Sequence, residues 1–160
     1  MHYYISGKQE EEEMYVAETK RLTVTGAKKM MVTALSSAQE AGIAITIAIV
    51  DAGGNLMLLE RMEGGRFHTV HSATAKAVCA ASNRRPTGSK GAQGQLLDVT
   101  HAVGLALAAG AENWTPMEGG CPILFAGECV GGIGVAGGSF EFDARVAREA
   151  VESIGAKSGE

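Results

Sequence analysis

From Thr23 the chain sets apolar side chains at helical spacing. In "TVTGAKKMMVTALSSAQEAG", Ala27, Met30, Met31, Ala34, Leu35, Ala38 and Ala41 recur at i, i+3 and i+4, and Gly42 supplies a stop. The period then changes. "IAITIAIV", Ile43 to Val50, is short and β-branched, as befits a strand buried on both faces. "DAGGN" carries the residues of a tight turn, and "NLMLLERM" returns as a second strand. A further helical run, "RFHTVHSATAKAVCAASN", follows. "LLDVTHAVGLALAAGAENW" is helix-like by its Ala and Leu content, although Gly104 and Gly110 weaken it. "CPILFA" and "CVGGIGVAGG" predict a second hairpin joined by "GE", and "DARVAREAVESIGA" predicts a closing helix with Asp143 as its N-cap. Two hairpins interleaved with helices predict one antiparallel sheet covered by helices, an α+β domain.

On a wheel of about 100° per residue, Phe67, Val70, Ala73, Ala77, Val78, Ala80 and Ala81 of the second helix share one arc. His68, His71, Ser72, Lys76, Cys79 and Asn83 share the other. The alanine-rich arc predicts close packing on the sheet. The polar arc then faces solvent or a ligand cavity. Two histidines at i, i+3 lack the further ligands and the H-E-x-x-H spacing that zinc requires, so no metal site is assigned. A haem, which can take a single axial His, Met or Cys, stays open.

Composition narrows the class of partner. The 160 residues carry a formal charge of -4 and no stripe of Lys and Arg, so nucleic acid is not expected and a small molecule is. The longest apolar runs are about half of a membrane-spanning helix. The start, "MHYYISGKQEEEEMY", has no secretory pattern, and Cys79, Cys121 and Cys129 make no C-x-x-C pair, which together predict a cytoplasmic protein with free thiols. Residues 1–21, with the acidic run Glu10 to Glu13, read as an N-terminal extension, and residues 22–157 as one domain.

Several other residues could carry chemistry. Arg61 ends the second strand and either clamps a carboxylate or forms an ion pair with Asp51 or Asp143. Lys76, among alanines, is either exposed or desolvated toward a lowered pKa. "AENWTPMEGG" brings Glu112, Trp114 and Glu118 into one loop, carboxylates beside an aromatic wall. The glycines of "GGIGVAGG" lie within and after a strand without a helix-opening phosphate cradle. They argue against a dinucleotide site and for close approach of a backbone or flat ligand.

Taken in order, "AIVDAGGNLMLLERMEGG", "AKAVCAASNRRPT", "GGCPILFAGECVGGIGVAGG" and "FDARVAREA" resemble the GlcG/HbpS-like family of haem-degrading or haem-binding proteins. The resemblance spans about Leu22 to Gly155, and Asp51, Gly54, Arg61, Lys76, Ala77, Thr87, Gly120, Pro122, Gly132, Gly134, Gly137 and Asp143 match its pattern. It implies a profilin-like fold, an antiparallel β-sheet flanked by α-helices, and homo-oligomers built from dimers. His68, His71 and the "ENWTPME" loop depart from it and point to a specialised pocket.

The resemblance implies two functions. In the first the chain binds haem or a related tetrapyrrole: His71 or His68 is the axial ligand, Gly132 and Gly134 admit the flat ring, and Arg61, Arg66 or Lys76 meet the propionates. In the second it is a hydroxylaminobenzoate lyase-like enzyme that needs no cofactor and releases ammonia from a small aromatic carboxylate. Arg61 or Arg66 then anchors the carboxylate, beside Trp114, while Lys76, His68, His71 or Glu118 serves as general acid and base. An assembly protein without ligand is the plainer alternative.

Overall fold

The computed structural model describes residue 12 and residues 14–160, so the acidic run of the extension falls mostly outside the described residues. In chain order the elements are α1 (Val24–Ala41), β1 (Thr46–Asp51), β2 (Leu56–Arg61), α2 (Thr69–Asn83), α3 (Val99–Ala109), β3 (Gly120–Phe125), β4 (Glu128–Ala136) and α4 (Phe140–Glu152). The strands form one antiparallel sheet in the order β2-β1-β4-β3. The expected α+β architecture is present, and no described helix is long and apolar enough to cross a membrane.

The alternation of large and small residues decides what covers each face of the sheet. Ile45, Ile47 and Ile49 leading into and along β1, with Ile133 and Val135 of β4, join Met30, Ala34, Val146 and Ala150 of α1 and α4 in the main core. Ala48 and Val50 of β1 and Ala136 of β4 meet Ala73, Ala77 and Ala81 of α2 on the opposite face. Large side chains on one side and small ones on the other let two helices stack at ordinary distance and bring the third much closer. Gly132 and Gly134 face α2 directly: a Cβ at either position would run into the carbonyl oxygens of Ala77 and Ala73. The missing side chains thus serve the helix and leave no opening there for a flat ligand.

Turn chemistry sets the rest, with two differences from expectation. The β3–β4 turn is Ala126–Gly127, both at positive φ (47° and 81°), and Glu128 already belongs to β4. Two left-handed residues in succession match the twist of a tight hairpin, which "GE" cannot supply. The N-cap of α4 is Ser139, whose Oγ accepts from the Phe142 amide at 3.1 Å, while Asp143 lies one turn inside and is buried. A partner for its carboxylate within the fold outweighed its capping propensity.

Candidate functional site

Helix α2 is fixed at its start by a hydroxyl relay. Thr69 Oγ1 donates to the Arg66 carbonyl at 2.5 Å, so its one proton is used, and Thr46 Oγ1 donates to it at 2.6 Å. Farther along, Lys76 is only 3% exposed. Its Nζ donates to the Val135 carbonyl at 2.8 Å and lies 3.4 Å from Asp143 Oδ2. Burial pulls the Lys76 ammonium below the ordinary lysine range and pushes the Asp143 carboxyl up, while each opposes the other's shift. The partner of Asp143 is therefore Lys76. Arg61 pairs with neither Asp51 nor Asp143 and donates to the Gly65 carbonyl at 2.5 Å.

The outward side of α2 forms one wall of an open groove of about 590 Å³. His71, Ser72, Thr74 and Ala75 come from α2, Ala106 from α3, and Glu112, Trp114, Pro116 and Met117 from the following loop. Helix α3 begins at the N-cap Asp98, whose Oδ1 accepts from the His101 amide at 2.8 Å, and ends where Asn113 Nδ2 covers the Ala109 carbonyl. Among the described residues no Cα of α3 comes within 8 Å of another helix or strand, and the helix reaches the groove only through Ala106. Trp114 is buried at its foot and also borders a second hollow of about 280 Å³ with Gly53, Gly54, Val78 and Ser82. The loop is tied to α2 by the Cys79 thiol, 3.6 Å from the Thr115 carbonyl. Burial raises the pKa of that thiol, which suits packing rather than reaction.

Of the residues singled out in the sequence, the groove brings together His71, Ser72, Glu112 and Trp114. His68 is exposed at the start of α2, its ring edge-on to Phe67, and is not on the groove wall. Phe67 is 82% exposed and Lys76 and Cys79 are buried, so the wheel's two arcs are displaced. The helix is covered by the sheet on one side and by the 110–117 loop on another, which a two-faced pattern does not anticipate. Arg66 donates to the Gly137 carbonyl at 3.0 Å. Glu118 borders a separate hollow of about 200 Å³ with Arg85, Thr87, Lys90 and Glu160. Gly132 and Gly134 lie beneath α2. Met117 was not anticipated: it lines the groove, but a lone methionine in a loop reads as gap filler. The run W-T-P-M was its only signal.

The chain is similar in sequence and in fold to known proteins. Over 109 residues the chain is 31% identical to the protein GlcG of Escherichia coli, covering 68% of this chain and 76% of that one. The structure matches Klebsiella pneumoniae protein ORFY with a TM-score of 0.77 at 26% identity, over 88% and 95% of the two chains. It shares its fold with a PduOC–haem complex, TM-score 0.75 at 22% identity, over 88% and 100%. The family model described as haem degrading protein HbpS-like matches residues 22–152. With a match over that length on the sheet and helices described above, the chain belongs to the HbpS-like family.

Proposed function

We propose that this protein binds haem or a related tetrapyrrole in the groove between α2 and α3, and that it works as a homo-oligomer. The carrying observation is the groove itself. It places an imidazole, His71, a thioether, Met117, and a flat aromatic wall, Trp114, around a volume within the range of ligand sites. Imidazole and thioether are both axial ligands of haem iron. Ala75, Ala106 and Pro116 give the ring apolar contact, and Ser72 and Thr74 offer hydroxyls at the rim. The described lining has no Lys or Arg, so Arg61, Arg66 and Lys76 would not hold the propionates of a haem bound there. A bound haem supplies a redox-active, ligand-accepting iron, and the chain supplies its orientation.

Family membership and the haem complex formed by a protein of the same fold support this reading. The lyase alternative has less support from the geometry. Lys76 is sealed in its pair, Arg61 and Arg66 hold backbone carbonyls, and Glu118 is outside the groove, which leaves His71 and Glu112 for its chemistry.

Trp114, the sole tryptophan, provides the test. Added haemin quenches its emission with a break at one equivalent if the ring lies on this wall. Quenching that rises without saturation, as with a free indole, rejects the site.

A further inference from the structure

The loop after α2 reads "RRPTGSKG", Arg84 to Gly91, and mixes cations, hydroxyls and glycine. Both of its ends are tied down. The Thr87 amide donates to the Gly120 carbonyl at 3.0 Å and the Gly120 amide donates to Thr87 Oγ1 at 2.8 Å, while the Gly91 amide donates to the Gln95 carbonyl at 2.8 Å. Between those ties, the successive amides of Gly88, Ser89 and Lys90 have no acceptor among the described residues. Thr87 is only 7% exposed, and the proton of its hydroxyl has no acceptor there either.

These donors border the hollow of about 200 Å³ that Glu118 shares. Arg85 and Lys90 border it too, and neither is ion-paired among the described residues, although Glu118 and Glu160 line the same hollow. The Arg85 guanidinium is nonetheless held in place by backbone. Gly94, at φ 81°, packs against it so closely that a Cβ there would lie 3.1 Å from Nη2. A half-buried cation without a carboxylate thus stands beside amides and a buried hydroxyl without acceptors. Successive backbone amides with basic side chains form concavities that bind anions.

We propose that this hollow binds the phosphate group of a small, hydroxyl-bearing phosphomonoester, a second ligand beyond the haem of the α2–α3 groove. The supply of donors selects phosphate over carboxylate, because its three terminal oxygens accept more hydrogen bonds than a carboxylate's two. Arg85 can hold such a group in bidentate fashion. The hollow selects a small ligand, since it is narrower than the roughly 300 Å³ at which sites for larger molecules begin. Glu118 and Glu160 repel the further charges of a polyphosphate or nucleic acid, and they offer acceptors to the hydroxyls of the ester. No helix opens directly from the loop, which separates it from the P-loop of nucleotide-binding proteins.

Proton–nitrogen correlation NMR of the full chain at constant ionic strength tests the site, with inorganic phosphate, glycerol 3-phosphate and acetate as probes. Saturable shifts should centre on Gly88, Ser89 and Lys90, with glycerol 3-phosphate binding more tightly than inorganic phosphate and acetate most weakly. Arg85→Gln and Lys90→Gln should each weaken phosphate binding about tenfold, the worth of one hydrogen bond to a charged group. Arg84→Gln, next in sequence but outside the hollow, should leave it unchanged. Glu118→Gln should tighten inorganic phosphate and erase the advantage of the ester. Shifts that rise without saturation, or saturable binding equally strong in Arg85→Gln and Lys90→Gln, overturn the site. Acetate as tight as phosphate overturns the choice of phosphate, and inorganic phosphate tighter than glycerol 3-phosphate overturns the ester. Haemin quenching of Trp114 reports on the groove separately.

Discussion

Lys76 Nζ lies 3.4 Å from Asp143 Oδ2, joining α2 on one face of the sheet to α4 on the other. The remaining polar atoms are used as well: Nζ donates to the Val135 carbonyl and Asp143 Oδ1 accepts from the Gly138 amide at 2.9 Å. Burial penalises both charges, and the pairing offsets part of that penalty. Such a pair contributes little net stability but leaves the two helices one mutual placement. Because α2 carries His71, that placement also sets the groove.

Lys76→Met should lower stability by about 3–5 kcal/mol, since it strands a buried carboxylate. Lys76→Met with Asp143→Leu should recover most of that loss. Urea unfolding of the three proteins measures it, and a double variant no better than the single one would show the pair to be a net source of stability.

Gly134→Ala and Gly104→Ala should move stability in opposite directions. At Gly134 the new methyl meets the Ala73 carbonyl and the backbone of α2 must retreat, costing about 1–3 kcal/mol or more. At Gly104 the methyl meets nothing within 4 Å, and Ala in a helix interior gains about 0.5–1 kcal/mol. Melting temperatures of the two variants check both signs.

Burial pushes the Cys121 thiol from an ordinary 9.0 up to about 12. Above the unfolded value the unfolded chain loses a proton that the native chain keeps, so the unfolded state binds fewer protons and stability falls as pH rises through this window. One such group contributes a slope of at most about -1.4 kcal/mol per pH unit. Cys121→Ala should show a shallower decline than wild type above pH 9, whatever its stability at neutral pH. Equal slopes would mean that the thiol ionises normally.

Much of the fold was legible because local signals and burial agree there. Ala27, Met30, Met31, Ala34 and Ala38 form the buried stripe of α1 that their spacing predicts, and Gly42 ends it at φ 67°. The site was legible only in part. His71 and Trp114 stand out by residue type, but their meeting depends on the 110–117 loop packing against α2, a tertiary relation with no local pattern. Lys76 reads from the sequence as exposed or desolvated, and the structure decides for the second; the sequence could not choose because its partner, Asp143, lies 67 residues away. Gly132 and Gly134 announced a close approach without saying that the approaching backbone was that of α2.

The most direct measurement is a haemin titration followed at the Soret band, with wild type, His71→Ala and His68→Ala in parallel. Saturable binding at one equivalent is expected for wild type and His68→Ala, with weaker binding and an altered band in His71→Ala. Nonsaturating binding, or binding identical in all three, would contradict a haem site in the α2–α3 groove.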